Sequence, residues 1–292
     1  EFFKFHTHSA EEPIDCLHFK ADAPVELNAL IYIPASNPER LGFGKTECEV
    51  SLYCKKVLID SRPEGLLPEW MRFAKGVIDS ADIPLNISRE SMQDSALVRK
   101  LGKVVTKRFL KRLAEIAKSE PEKYAKFFKN FGMFIKEGAA TDFDNREELS
   151  KLLRFESSVQ KEGEFASLED YVSRMKDGQK EIFYAAAQDR AAIESGPYLE
   201  AFASRGLEVL FMYEPIDTFL VGNLGEFSGK PFASIDSAGI SLSETPKGAG
   251  ESGSLSKEEA EELKNWIKET LGSEKALEVL TSGRLVDSPA AA

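Results

Sequence analysis

Across residues 25–34 the side chains of Leu27, Ala29, Ile31 and Ile33 alternate with Glu26, Asn28, Leu30 and Tyr32. A period of two places the first set on one face of a strand, where a core buries it. Over residues 48–59, Val50, Leu52 and Cys54 repeat that spacing and predict a second strand. The period then changes. Leu67, Trp70, Phe73, Ala74 and Val77 fall three and four residues apart, which predicts a helix over residues 66–78. Strand, strand, helix is the opening of an α/β layer.

From about residue 91 to 119, Met92, Ala96, Leu97, Leu101, Val104, Val105, Leu110, Leu113, Ile116 and Ala117 keep a helical period and predict one long helix. Ser119 with Glu122, Asp144 with Glu147, and Ser256 with Glu259 match reciprocal capping spacing, and Ser167 with Asp170 resembles it. Helix starts are predicted at all four places. Gly178, Gly206 and Gly272 follow amphipathic stretches and suit helix ends. After Gly178 come short β-like runs at 182–187, 209–213 and 231–235, which suggest a smaller second α/β unit behind a mostly helical connection. Residues 243–253 are rich in Ser, Gly, Pro and Glu and read as a linker. Beyond it Leu263, Trp266, Ile267 and Leu271 begin another amphipathic helix, followed by a strand-like run to Val286. No internal repeat is visible.

Composition narrows the classes. The 292 residues are 42% hydrophobic and 30% charged, an ordinary globular balance with room for about two domains. No run approaches the roughly 18 apolar residues of a spanning helix, so a soluble chain without a membrane role is expected. Glu1-Phe2-Phe3-Lys4 lacks an initiator Met and a signal-like core, which reads as a cut inside a longer protein. A net charge of −11 argues against a nucleic-acid partner, because phosphate neutralisation needs surplus Lys and Arg. Three cysteines, Cys16, Cys48 and Cys54, suit a reducing compartment better than a disulfide scaffold.

Several motifs are weaker than they look. Gly42-Phe43-Gly44-Lys45-Thr46 imitates the end of a phosphate-binding loop, but Glu39 stands where the first glycine belongs and a strand follows instead of a helix. His6, His8, Cys16 and His18 lack the ligand spacing of structural zinc sites, so no metal is expected. Arg99, Lys100, Lys103, Lys107, Arg108, Lys111 and Arg112 form a basic band on the long helix, either a solvated face or a docking face for an acidic partner. Lys123, Tyr124, Phe127, Phe128, Phe131 and Phe134 interleave bases and aromatics, yet their helical spacing favours core packing over single-strand binding.

One segment carries more chemistry. In Asp82-Ile83-Pro84-Leu85-Asn86-Ile87-Ser88-Arg89-Glu90, Pro84 biases Ile83 toward extended conformations, and Asn86 and Ser88 are suited to cap a helix. Arg89 then falls near the first turn of the long helix, where the helix dipole disfavours a cation by about 0.3–1 kcal/mol unless an anion lies beside it. Two readings stay open: an ion pair with Glu90 or Asp94, or a receptor for an external anion.

The same segment, continued through Gln93, resembles the catalytic loop of the heat shock protein 90 middle domain. Leu67-Pro68-Glu69-Trp70 and Lys75-Gly76-Val77-Ile78-Asp79-Ser80 precede it in that family's order. Leu152-Leu153-Arg154-Phe155, the stretch from Ser167 to Met175, Gln179 to Tyr184, and Glu214-Pro215-Ile216-Asp217 follow it, and Gly283 to Ala290 resembles the opening of the C-terminal dimerisation segment. Gln93 to Leu101 and Lys123 to Phe128 look closest to the mitochondrial, tumour-necrosis-factor-receptor-associated branch, with a bacterial or cytosolic branch as the alternative.

The resemblance implies an α/β fold: a larger α/β/α sandwich over 1–118 holding the loop, a helical connector over 119–178, and a smaller α/β/α unit over 179–242. A linker at 243–254 and the start of an α+β C-terminal domain over 255–292 would follow. It implies an ATPase chaperone in which ATP with Mg is bound mainly by an N-terminal domain, and the fragment alone is inactive. Arg89 would reach the γ-phosphate, Gln93 would support the loop, and Asn86 and Ser88 would shape it. Client proteins, co-chaperones and a homodimer through the C-terminal domain are the implied partners. Leu58 and Trp70 are candidate client contacts, and a mitochondrial location is expected. The alternative is a client- and co-chaperone-binding module with no chemistry.

Overall fold

A computed structural model of the chain describes residues 1–7, 9–42, 44–83, 96–237, 255–272 and 279. Its strands are β1 (Asp15–Ala21), β2 (Leu27–Ile33), β3 (Glu49–Cys54), β4 (Val57–Asp60), β5 (Lys75–Asp79), β6 (Glu156–Ser157), β7 (Ile182–Ala186), β8 (Leu210–Met212), β9 (Glu226–Phe227) and β10 (Lys230–Ser234). The helices are α1 (Phe2–Thr7), α2 (Ala96–Ser119), α3 (Pro121–Thr141), α4 (Arg146–Leu152), α5 (Leu168–Arg174), α6 (Arg190–Glu194), α7 (Pro197–Ala203), α8 (Pro215–Leu224) and α9 (Lys257–Leu271). The chain divides into two compact units. The first holds Glu1–Arg154, Ser167–Glu169 and Pro215–Phe227; the second holds Phe155–Ala166, Asp170–Glu214 and Ser228–Ala292.

In the first unit a mixed sheet runs in the order β1-β2-β5-β3-β4. The register lines up Phe19 with Ala29, Ala29 with Ile78, and Ile78 with Leu52, and paired residues share a face. One face is therefore a continuous apolar layer, with Leu27, Ile31, Leu52 and Ile78 fully buried. α2 lies against this face, because Arg112 bonds Asp15 of β1 and the Arg108 guanidinium lies over the Phe19 ring. α1 takes the opposite face, where Phe3 packs on Tyr32 with ring centroids 5.1 Å apart. The α/β class expected from the periodicity holds in both units.

Two local expectations are corrected. Residues 66–78 form a 3-10 turn at Glu69–Met71 followed by β5, not a helix. Gly76 shows why: it has φ +144°, and a Cβ there would lie 2.0 Å from the Leu30 carbonyl oxygen, so only glycine admits β5 beside β2. The helical spacing of Trp70, Phe73 and Ala74 arises because the turn itself is buried. The single strand expected over 48–59 is the hairpin β3–β4, with Lys55 and Lys56 at φ 49° and 69°, as a two-residue hairpin turn requires.

The long helix α2 follows the expected periodicity from Ala96 onward, and residues 91–95 lie outside the described residues. Helices begin at the four expected places, and Ser256 and Glu259 form the full capping box. Pro121 occupies the first turn of α3, and the Ser119 hydroxyl donates back to the Glu115 carbonyl instead of capping. Asp144 pairs with Lys103, leaving Asn145 at the start of α4. Phe73 sits within 4.7–6.0 Å of the rings of Phe109, Phe127, Phe131 and Phe134, so the aromatic run of α3 is core.

In the second unit β6 is antiparallel to β8, while β8 and β10 both run parallel to β7. Phe183, Ile193, Phe202, Val209, Phe211 and Ile235 form its core. The Tyr171 hydroxyl joins three segments: it donates to the Glu208 carbonyl at 2.9 Å and accepts from Phe183 N at 2.9 Å and Gln179 Nε2 at 3.1 Å. Burial pushes its pKa up to about 12, so it stays a donor at neutral pH. The expected linker and the strand-like run near Val286 fall outside the described residues.

Candidate functional site

Residues 84–95, and with them Asn86, Ser88, Arg89 and Gln93, lie outside the described residues. The structure does define the two stems that frame them. On the N-terminal side β5 ends at Asp79, and Ser80 N donates to the Tyr53 carbonyl at 3.0 Å. The Ser80 hydroxyl donates to the Glu26 carbonyl at 2.6 Å, and Glu26 N donates to Asp82 Oδ2 at 2.9 Å. Both main-chain polar groups of Glu26, at the entrance to β2, are thus held by side chains of the stem. Cys54, the last residue of β3, donates its thiol hydrogen to the Ile83 carbonyl at 2.9 Å. Ser80 and Ile83 are 1% and 3% exposed.

On the C-terminal side, Val98 and Leu101 are buried in the first turns of α2. A Cβ on Gly102 would lie 1.9 Å from the Leu66 carbonyl oxygen. The backbone of α2 is pressed directly on the segment before the 3-10 turn, an approach only glycine allows.

The basic band divides into two populations. Arg112 makes a bidentate pair with Asp15, at 2.7 and 2.8 Å, and Lys123 reaches the same carboxylate at 2.6 Å. Burial would raise the Asp15 pKa, but the hydrogen bonds and charges of Arg112 and Lys123 outweigh it and hold the carboxyl below its usual value. Lys103 pairs with Asp144 at 2.9 Å. Arg99, Lys100, Lys107 and Lys111 are exposed.

Of the two candidate client contacts, only one is at the surface. Leu58 on β4 is 51% exposed beside Val57 at 54%. Trp70 is 1% exposed, and its indole N–H donates to Asp142 Oδ2 at 2.9 Å. The tryptophan is core and offers no face to a client. It belongs to an open cleft of about 410 Å³, lined by Pro68, Glu69, Trp70, Thr141, Asp142, Phe143 and Asp144. Phe143 is 73% exposed there, with the Arg146 guanidinium 4.2 Å from its ring. Sequence periodicity missed Phe143 because it lies in a turn between helices; a lone aromatic between Asp142 and Asp144 was the only signal.

Other chemistry is bounded by the same geometry. Lys45 pairs with Glu69, and Thr46 donates its N–H and hydroxyl to Glu39, so Lys45 and Thr46 are tied down ahead of β3. Cys48 is pushed up to about 11, chiefly by burial, and Cys16 is raised by burial and by Asp15, so neither is a thiolate near neutral pH. Among the described residues, no group of three or more His, Cys, Asp or Glu is placed to hold a metal ion, and no helix is long and apolar enough to cross a membrane.

The whole chain, residues 1–292, matches the Hsp90 protein family. It is 51% identical over 290 residues to the chaperone protein HtpG of Desulfitobacterium hafniense, covering 99% of this chain and 47% of that protein. It is 41% identical over 293 residues to the mitochondrial TNF receptor-associated protein 1 homolog of Dictyostelium discoideum, covering 99% of this chain and 41% of that protein. The mitochondrial heat shock protein 75 kDa of Rattus norvegicus is 39% identical over 299 residues, covering 99% of this chain and 42% of the relative. The chain thus spans under half the length of these relatives, among which both bacterial and mitochondrial proteins appear. With that match over its full length, and with mixed α/β units of the kind its motifs implied, the chain belongs to the Hsp90 family.

Proposed function

We propose that this chain is the middle segment of an ATP-driven chaperone and supplies Arg89 to ATP held by an N-terminal domain. The observation that carries the reading is the family match over residues 1–292, which includes the Asp82-to-Gln93 segment. In support of it, the described residues on either side of that segment are well anchored.

The proposed chemistry is electrostatic. A guanidinium keeps its charge and offers up to five donors in a planar fork, which suits the oxygens of a γ-phosphate as negative charge redistributes. Gln93 supports the segment, and Asn86 and Ser88 shape it. Mg accompanies ATP on the N-terminal domain, so the fragment alone is inactive. An arginine supplied by a second unit gives about 10³–10⁵-fold in other phosphoryl-transfer systems, an upper guide where domain closure limits turnover. Clients and co-chaperones bind the full-length homodimer, with Leu58 as one client contact. The mitochondrial relatives support a mitochondrial location, and the bacterial relatives support a cytoplasmic one.

Arg89→Ala in the full-length protein is expected to lose most phosphate release while ATP affinity stays within about twofold, and Arg89→Lys to be nearly as poor because an ammonium lacks the fork. Unchanged turnover in Arg89→Ala removes the residue from the mechanism. The second reading, a binding module without chemistry, draws on the exposed Val57–Leu58 pair. Adding a separately made N-terminal domain separates the two: Arg89-dependent phosphate release supports the first, and client binding without stimulation the second.

A further inference from the structure

We infer that the cleft between the 3-10 turn at Glu69–Met71 and the turn at residues 141–144 docks a partner polypeptide in which Arg or Lys alternates with apolar residues. Lys45 and Lys103 compete with that partner from within the chain. The cleft volume, about 410 Å³, falls in the roughly 300–1,000 Å³ range of ligand sites. Its walls are fixed before any ligand arrives. Trp70 backs it, held by its N–H to Asp142 and by Gly138, where a Cβ would meet the indole at 2.8 Å. Asp142 in turn accepts from the Asn145 N–H at 3.2 Å and from Asn145 Nδ2 at 2.8 Å. Phe143 is 73% exposed, yet its ring is braced by the Arg146 guanidinium, which donates to the carbonyls of Ala139 and Ala140. A large aromatic held at the surface in one place is the anchor that interfaces use, because little ordering cost remains on binding.

Charge selects the occupant. The lining residues include three carboxylates, Glu69, Asp142 and Asp144, and no base. Asp142 is taken up by Trp70 and Asn145, whereas Glu69 and Asp144 stand exposed at the rim. Each rim carboxylate already holds an ammonium of this chain, Lys45 at 2.6 Å on Glu69 and Lys103 at 2.9 Å on Asp144. All four side chains are largely solvated, so these pairs are weak and an incoming cation can replace either lysine. The methylene stem of a guest Arg or Lys can lie along Phe143 and Pro68 while its head reaches a carboxylate. Apolar neighbours on the guest then cover the rest of the exposed ring.

The test titrates the whole chain into a dye-labelled peptide of alternating Arg and Leu and reads anisotropy, with Tm as the check on folding. Phe143→Ala is expected to weaken binding about tenfold. Lys45→Ala and Lys103→Ala are expected to tighten it about 2–5-fold each, because each removes an internal competitor. Lys118→Ala, which changes the net charge equally at the far end of α2, is the control and should leave binding unchanged. A peptide with Glu in place of Arg is expected not to bind. If the Arg-Leu peptide does not bind, or binds Phe143→Ala as tightly as the parent, the proposal is overturned. Equal tightening by Lys45→Ala and Lys118→Ala also overturns it, since attraction to the acidic chain as a whole would then suffice. Self-association of the parent that Phe143→Ala abolishes would make a second copy the occupant and likewise overturn it. Should Phe143→Ala fail to fold, the two lysine variants, both at exposed positions, carry the same comparison.

Discussion

The Lys136 ammonium lies 2.6 Å from the Asp217 carboxylate, with the two side chains only 6% and 2% exposed. The pair joins the middle of α3 to the first turn of α8. Desolvating two charges offsets much of their attraction, so the pair is a poor source of net stability, yet breaking it strands a buried charge. Lys136→Met is expected to cost about 3–5 kcal/mol in urea unfolding, and Lys136→Met with Asp217→Leu much less. If the two single costs simply add in the double variant, the coupling is absent.

Asp15 gives a signed pH dependence. Its folded pKa is depressed by Arg112 and Lys123, so the folded state binds its proton less readily than the unfolded state. Its stabilisation is present above the ordinary carboxylate value of about 3.9 and is lost as pH falls through the lower folded value. Asp15→Asn should therefore be less stable than the parent at pH 7, and the gap should narrow below about pH 4. A gap that stays constant with pH would mean the loss is one of packing.

Gly102 reverses a usual rule. Glycine to alanine inside a helix ordinarily gains up to about 1 kcal/mol from propensity. Here the new Cβ would meet the Leu66 carbonyl oxygen at 1.9 Å, and backbone must move. Gly102→Ala is expected to lower the urea midpoint, whereas a raised midpoint would show that α2 has room to shift.

Leu58 is a surface position whose burial gains the isolated fold little. Leu58→Asp in the full-length protein is expected to leave stability within about 0.5 kcal/mol and to weaken capture of an unfolded client. Undiminished capture would remove this part of β4 from the client surface.

How much was legible depended on the range of each interaction. The alternation around Leu27 to Ile33 and the periods of α2 and α3 are local patterns, and they gave the correct elements. The turn at Glu69–Met71 defeated the same method, because burial of Trp70, Phe73 and Ala74 copies helical spacing while β5 is fixed by Gly76 against Leu30, a contact from elsewhere in the chain. Lys55 and Lys56 make a hairpin turn without the glycine or asparagine that usually announces one. Trp70 with Asp142 and Lys136 with Asp217 are pairings across long stretches of sequence, invisible to any window. Arg89 is proposed from the motif alone, and the bonds of Ser80, Asp82 and Cys54 ahead of it needed coordinates.

The exposed cations of α2 have an effect at a distance. That helix carries eight Lys and Arg against the single acid Glu115, so it holds +7 while the remaining residues of the chain hold −18. Such a concentration makes the exposed side of α2, with Arg99, Lys100, Lys107 and Lys111, a local positive surface on an acidic chain. An approaching body is turned before it touches, within about 10 Å at 0.1 M salt, and added electrolyte shortens that reach.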